Sequence, residues 1–430
     1  MTEPAVTATA LPRLLRGVSF GETSALERHL SLHGPLPSKR ELDGRAVVAL
    51  AERSGLRGRG GAGFPAAIKM AAVRGSRGRA VVVANGCESE PLSAKDALLL
   101  QELPHLVLDG AALAARAVGA DEVVVAHEGG NPRTRTGLEH ALAERRSSAR
   151  EGIHFQLFEA AQRFLTGQET SLVSQINGGP AIPTFIPPRP TSRGVRRRPT
   201  LIHNVETLAH LALIARHGAD WFRELGTDSE PGSTLVTVLG AVADPGVYEL
   251  EYGTALEHLL YAAGGCASPF SGLLVGGYFG SWLPATASGE IALSQAGLMD
   301  FDASLGCGVV VALPEDRCPV AETVRVAIYL ASETANQCGP CVHGSAAIAR
   351  TLHSIASGRA PASAFAELRR YSGAVRARGA CHLPDGLARF VATALRTFAG
   401  EFDEHAANGP CEACAAPPLL TIPAAEPARA

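Results

Sequence analysis

Five glycines fall within the sixteen residues from Ser54 to Lys69: Gly55, Gly58, Gly60, Gly61 and Gly63. No regular helix or strand runs comfortably through such a density of glycine, because each one adds backbone entropy that folding must remove. The chain is therefore expected to turn here. A backbone without Cβ atoms can also approach a ligand closely, and successive bare N–H groups can cradle an anion. Arg57, Arg59 and Lys69 add positive charge. The stretch is not a Walker loop, since no Gly-Lys-Ser/Thr ends it, and its GxGxxG spacing does not sit between a strand and a helix. On these residues alone it reads either as an anion-binding nest or as a flexible surface loop.

At 430 residues and 46% hydrophobic content the chain can bury several cores, and two to four domains are expected. No apolar run reaches the roughly 18 residues a membrane span needs, so no membrane insertion is expected. Met1–Arg16 lacks a basic segment followed by an apolar one, which argues against a secretory signal. A net charge of −3 gives no reason to expect nucleic acid or an anionic membrane surface. Three lysines (Lys39, Lys69, Lys95) stand against 36 arginines. Where composition drifts so strongly to arginine, each remaining lysine is informative, and two of the three lie between residues 54 and 96.

Residues 1–45 read as a lead-in. A helix over Arg45–Ser54 precedes the glycine stretch. Ala80–Ala84 is a buried strand, Leu103–Val118 a helix, Glu122–Ala126 a second buried strand and Arg133–Arg146 another helix. This rhythm predicts a parallel α/β sheet, whose ligands gather at the carboxyl ends of strands. Asn85 to Glu90 occupy one such end. Ile153–Phe158 alternates as a strand, and Thr166–Thr170 leads into a helix ending near Ile176. Gly178–Pro199 is too long for an ordinary connection and is a candidate binding loop. A helix follows His203–Thr207. Beyond a boundary near Gly226–Pro231, strands at Thr234–Leu239 and Val247–Leu250, a helix with a capping box at Thr254 and Glu257, and a strand at Gly272–Val275 suggest a β-grasp module. From Pro319, four amphipathic helices imply a bundle. The tail from Gly409 is Pro/Ala-rich and is expected to be mobile apart from its cysteines.

Nine cysteines in a chain without a signal argue against a disulfide framework. Cys338-x2-Cys341 with Cys381, and Cys411-x2-Cys414 near the end, point to metal or cluster ligation. Cys266, Cys307 and Cys318 read as small buried hydrophobes.

These pieces, in this order, resemble the flavoprotein subunit of bacterial respiratory NADH dehydrogenase (the NuoF family) and its relatives in soluble hydrogenases and formate dehydrogenases. The likeness covers roughly residues 46–405. It rests on the glycine stretch through Pro65, Asn85…Glu88-Ser-Glu-Pro…Lys95-Asp96, Gly167…Glu169-Thr170, Asn204-Val-Glu-Thr-Leu208 and the Cys-Gly-Pro-Cys segment. The resemblance implies an α/β FMN/NADH-binding domain at 46–225, a β-grasp module of the SLBB type at 226–318 and a four-helix iron–sulfur bundle at 319–408, with a lead-in at 1–45 and a tail at 409–430. It implies hydride transfer from NADH to FMN, then single electrons through a cluster to an iron–sulfur or ferredoxin-like partner, or a quinone-reducing one, within a cytoplasmic or membrane-peripheral redox complex. Carried onto this sequence, Arg57, Gly58, Gly60, Gly61, Gly63, Phe64, Lys69, Asn85, Glu90, Gly167, Asn204 and Thr207 would bind the cofactor. Glu88 and Glu169 would act at the reacting atoms, with Glu88, Glu90 and Glu169 facing the nucleotide. Two residues keep plainer readings: Asn204 as a helix cap and Glu90 as a solvated surface acid.

The sequence departs from the family in ways that matter. Ala335 stands where the first cluster cysteine belongs. Cys338, Cys341 and Cys381 remain, which leaves a [4Fe–4S] cluster with a substitute ligand (His343, His382 or a tail cysteine), a [3Fe–4S] cluster, or none. Cys411 and Cys414 could complete that site, hold a second metal or form a thiol pair. The aromatics expected over NADH are Ala71 or Ala72 and Arg196, the usual Asp after Asn85 is Cys87, and the first acid of a Gly-Glu-Glu motif is Gln168. FMN is therefore better supported than NADH. A donor other than NADH and a non-catalytic docking subunit are the competing readings.

Overall fold

The computed structural model describes residues 11–18, 21–147 and 152–423. Val81–Gly86 forms β1, Glu122–Glu128 β2, His154–Ala160 β3 and Thr200–Asn204 β4. All pair in parallel, in the order β3-β2-β1-β4. The valine runs follow from burial on both faces. Val82 and Ala84 enter one core with the helices Pro104–Val118 and Val205–His217, while Val81 and Val83 enter another with Leu172 and Val173 of the helix Glu169–Ile176. β2 and β3 extend the sheet on one side of β1 and β4 on the other, so the winding reverses between β1 and β4. A crevice opens outside the carboxyl ends at such a switch point. Asn85 and Asn204, paired in register, sit there.

The two helices on the first face lie so close that a Cβ on Gly110 would fall 1.8 Å from the Leu208 carbonyl oxygen. Pro104 starts the first helix and Gly119, at φ 71°, ends it. The Asn204 side chain accepts from the Glu206 N–H at 2.9 Å and caps the second.

The second sheet joins β5 (Ser233–Gly240), β6 (Gly246–Glu251), β7 (Phe270–Val275), β8 (Ser281–Pro284) and β9 (Val309–Pro314) in the order β6-β5-β9-β7-β8. β5 and β9 run parallel and the other pairs antiparallel, around the helix Leu256–Ala262. Side-chain alternation divides this sheet between two cores. Leu273, Val275, Val310 and Ala312 face Leu256, Leu259 and Leu260, whereas Leu274, Val309, Val311 and Leu313 face the bundle with Trp282, Phe390 and Phe398. The bundle consists of Pro319–Ser332, Ala346–Ala356, Ala364–Val375 and Leu383–Thr397, with a fifth helix, Ala399–Asn408, beyond the four expected.

Two local expectations are corrected. Thr254 donates to the Glu251 carbonyl at 2.8 Å, and the helix starts at Leu256 behind an Ala255 cap, so no capping box forms. The tail is docked as far as it is described. The N–H groups of Leu419 and Leu420 donate to the Glu322 carboxylate at 2.9 and 3.0 Å, Leu420 is buried, and the Tyr278 hydroxyl donates to the Thr421 carbonyl. The first ten residues, which carry most of the secretory-signal expectation, and residues 424–430 of the tail lie outside the described residues. Among the described residues no single helix is long and apolar enough to cross a membrane.

Candidate functional site

The glycine loop hangs over the switch point and is pinned at both ends. Gly58 N–H donates to the Phe64 carbonyl at 2.8 Å, and Arg57 Nε to the Gly63 carbonyl at 2.9 Å. Thr207 Oγ1, at the start of its helix, accepts from Arg59 N–H at 2.9 Å. The Arg59 guanidinium is buried, donates to the Ser233 carbonyl and lies over the Tyr252 ring, tying the loop to β5. Between these anchors Gly61 adopts φ 103° and Gly63 φ 59°, a region glycine enters without strain. A Cβ on Gly60 would lie 3.3 Å from that of Asn204. Among the described residues the N–H groups of Gly60, Gly61, Ala62 and Gly63 find no acceptor in the protein. Consecutive free donors at the carboxyl ends of a parallel sheet suit an anionic, phosphate-bearing ligand, and FMN is of that kind.

Around the loop the structure gathers most of the expected residues. Asn85 Nδ2 donates to the Gly167 carbonyl at 2.9 Å. Gly167 must be glycine, because a Cβ there would meet Cys87 O and Ser89 Oγ at 2.8 Å. Lys69 pairs with Glu169 and donates to the Ile202 carbonyl at 3.2 Å. Asn204 caps its helix, the plainer of the two readings, and its Nδ2 reaches Asp96 and the Asn85 carbonyl. Phe64 is exposed beside the loop.

Three residues are engaged elsewhere. Glu88 accepts from the N–H groups of Asp96 and Ala97 at 3.0 and 2.9 Å and from Ser93 Oγ, capping the helix Lys95–Glu102 rather than offering a free carboxylate. Glu90 does not sit in solvent. It is buried against Gly277 and accepts from Tyr278 N–H at 2.8 Å. Burial pushes its carboxyl up to about 8. Arg196 pairs with Glu122, the first residue of β2, at the opposite end of the sheet. The loop that carries it does expose Phe185 and Ile186.

Sequence reasoning missed the ionic floor beneath the loop. Lys95 is buried, with Nζ 2.7 Å from Asp96 and 2.9 Å from Glu206. Burial alone would push Lys95 down, but Asp96, Glu206 and Glu88 outweigh it and keep the ammonium charged. Burial also opposes the Glu206 carboxylate, yet Lys95, His210 and Arg59 hold it down to about 2. Asp96 is pushed up to about 7, first by burial and then, against Lys95, by Glu88. Glu128, at the end of β2, is likewise raised to about 7 by burial and Glu88. Glu206 accepts from Leu235 N–H and Thr234 Oγ1, each at 2.9 Å, so this floor also fastens the α/β domain to β5. The signals available were the rarity of lysine and the place of Lys95, Asp96 and Glu206 within the motifs that carry the resemblance, neither of which shows that the three meet.

In the bundle, Cys341 is buried with the thiols of Cys381 and Cys338 beside it. Cys381 is held down at about 7 by the hydrogen bond from Cys341 and, against its burial, by the Leu383 N–H. Three converging thiols fit an iron–sulfur cluster attached through three residues. The fourth position is Ala335, whose methyl packs against the bundle core. Cys411 and Cys414 do not complete this trio; they stand with Cys318 and His405. Cys318 therefore has polar company, Cys307 is largely enclosed, and Cys266 is exposed rather than buried. A cavity of about 810 Å³ opens at the amino end of β3, lined by Leu30, Leu36 and Ile153, away from the glycine loop.

Comparison with known proteins follows the same division of the chain. The Nuo51 FMN-binding domain matches residues 51–213, the SLBB domain residues 235–271, and the iron–sulfur binding region of NADH-ubiquinone oxidoreductase-F residues 322–405. The second F-type subunit of NADH-quinone oxidoreductase in Rhizobium meliloti (strain 1021) is 31% identical over 383 residues, covering 85% of this chain and 90% of its own. The NADP-reducing hydrogenase subunit HndC of Solidesulfovibrio fructosivorans is 28% identical over 421 residues, covering 94% of this chain and 86% of its own. Among solved structures, an NAD+-reducing [NiFe]-hydrogenase in the H2-reduced state superposes with a TM-score of 0.79 at 32% identity over 84% of this chain. This chain spans only 62% of that one.

Proposed function

This chain belongs to the NuoF family of NADH-quinone oxidoreductase flavoproteins, and from that premise we propose that it takes hydride from NADH onto FMN and passes electrons singly through an iron–sulfur cluster to an iron–sulfur or ferredoxin-like partner in a larger redox complex. Bound FMN supplies two-electron acceptance with one-electron release, and the cluster supplies one-electron relay. The observation that supports this reading most is the row of unpaired N–H groups from Gly60 to Gly63 above Asn85 and Asn204.

Each residue then has a physical task. The loop N–H groups and the Lys69 ammonium neutralise and orient the phosphate-bearing cofactor. Asn85 and Asn204 fix the polar edge of the crevice, and Thr207 holds the loop through the Arg59 backbone. Of the two acids assigned to the reacting atoms, Glu169 keeps a half-exposed carboxylate, whereas Glu88 sets the turn before Lys95. Cys338, Cys341 and Cys381 hold the cluster, in a chain divided into an FMN/NADH domain at 46–225, a β-grasp module at 226–318 and a bundle at 319–408.

A donor other than NADH is the second reading. Arg196 is tied to Glu122 at the far end of the sheet, so no stacking group comes from that position. Anaerobic addition of NADH to FMN-loaded protein separates the two: bleaching of the flavin absorbance in proportion to added NADH is expected, and flavin that stays oxidised would exclude NADH. Lys69→Ala should weaken FMN binding about tenfold, the loss of one charge-assisted contact.

A further inference from the structure

Cys318, His405, Cys411 and Cys414 come from three separated segments, yet their ligand atoms all lie within 4.8 Å of one another. We propose that they bind a single zinc ion that clamps the C-terminal segment onto the bundle, distinct from the Cys338/Cys341/Cys381 site.

The distances select the species. Zinc bonds of about 2.3 Å to sulfur and about 2.0 Å to nitrogen, arranged tetrahedrally, set S···S separations of about 3.8 Å and S···N separations of about 3.5 Å. Here Cys411 and Cys414 sulfurs are 3.7 Å apart, and His405 Nε2 is 3.4 Å from Cys318 and 3.9 Å from Cys414. A disulfide needs about 2.05 Å, so Cys411 and Cys414 are not one. A cubane cluster puts each thiolate on a different iron and spreads them more widely than this. Three cysteines and one histidine, with two of the cysteines spaced C-x2-C, are a structural zinc set.

The surroundings prepare the ligands. His405 Nδ1 lies 3.2 Å from the Ala356 carbonyl, so the proton sits on that nitrogen and the Nε2 lone pair faces the sulfurs. Cys318 begins the helix Pro319–Ser332 and its sulfur accepts from the Ala321 N–H at 3.3 Å. That helix terminus offsets part of the negative charge left when three S–H groups give up their protons to solvent on metal binding. Cys318 and His405 are buried while Cys411 is exposed, which gives the ion a rigid base and an entry side. Gly358 and Gly409 approach so closely that a Cβ on Gly358 would meet Gly409 Cα at 2.9 Å. Past the site the strap continues through Leu420 to the Glu322 carboxylate.

Full-length protein, purified without chelator, should contain one zinc per chain by elemental analysis. Replacing zinc with Co(II) should give the intense visible bands of tetrahedral thiolate coordination. Cys414→Ser and the more exposed Cys411→Ser should each lose the metal and melt several degrees lower, with iron and FMN content kept. Cys341→Ser should lose iron and keep zinc. Wild-type protein with no zinc, Co(II) lacking tetrahedral bands, zinc loss in Cys341→Ser equal to that in Cys414→Ser, or iron in place of zinc would each overturn the proposal.

Discussion

Glu90 shows how far a residue's role can differ from its appearance in sequence. Its carboxyl is enclosed by Gly277 and Tyr278 from the second sheet and receives the N–H groups of Tyr278 and Leu92. Burial raises it from 4.5 to about 8. The folded state therefore takes up a proton that the unfolded chain does not hold in that interval. This stabilisation is complete below about pH 4.5 and is lost as pH rises through about 8. Asp96 and Glu128, both raised to about 7, tilt the profile the same way. Glu90→Gln keeps an uncharged acceptor for Tyr278 and removes one part of that slope. Relative to the variant, the wild type should lose up to about 4 kcal/mol between pH 5 and pH 9. Chemical denaturation of both proteins at several pH values checks this; parallel profiles would mean Glu90 is not the group responsible. The sequence could not show it, since an acid in a Ser-Glu-Pro turn looks solvated until another sheet covers it.

At the scale of elements, the contact between Pro104–Val118 and Val205–His217 is the most demanding. Gly110→Ala would press a methyl into the Leu208 backbone, which cannot rotate away. The helices must part, at a cost of about 3 kcal/mol. Because Asn204 and Thr207 start the second helix, weaker FMN binding should accompany the lower denaturation midpoint; unchanged stability would show that the pair can slide without cost. The long apolar helices and valine strands were legible because each carries its own periodicity over many residues. The short strand Thr200–Asn204 was not, since five residues ending in His203 and Asn204 give little alternation and run straight into a helix. The helix Lys95–Glu102 and the four-residue strand β8 escaped for similar reasons of length and flanking polarity, whereas β9 is a continuous valine run like β1 and was legible by the same rule. Within the site, the glycine loop and Cys338-x2-Cys341 were readable as local spacings. The Lys95–Glu206 pair and the meeting of Cys318 with Cys414 arise only when distant segments fold together, and nothing in local spacing encodes them.

For the whole molecule, the three structural units share interfaces instead of hanging as beads. Phe164 of the first unit, Tyr278 of the second and Tyr329 of the bundle form one aromatic cluster, with ring centroids 6.0 to 6.5 Å apart. The Tyr278 hydroxyl also reaches the C-terminal strap at Thr421. The bundle thus has a thiol trio at Cys338, Cys341 and Cys381, and the strap site at Cys318, His405, Cys411 and Cys414, both on one rigid core. The trio is one thiolate short, and the missing position is a small side chain at the edge of that core. Ala335→Cys should therefore supply a fourth thiolate with little repacking. Anaerobically reconstituted Ala335→Cys should hold about four irons per chain with the reduced-state EPR spectrum of a four-iron cluster. Its cluster should outlast that of the wild type on exposure to air, since a fully thiolate-bound iron is not left to solvent. Cys341→Ser, which removes the central thiol, should abolish the signal in either background. An EPR signal that survives Cys341→Ser would move the cluster elsewhere, and an Ala335→Cys protein with unchanged iron content and air sensitivity would mean that another ligand already fills the fourth position.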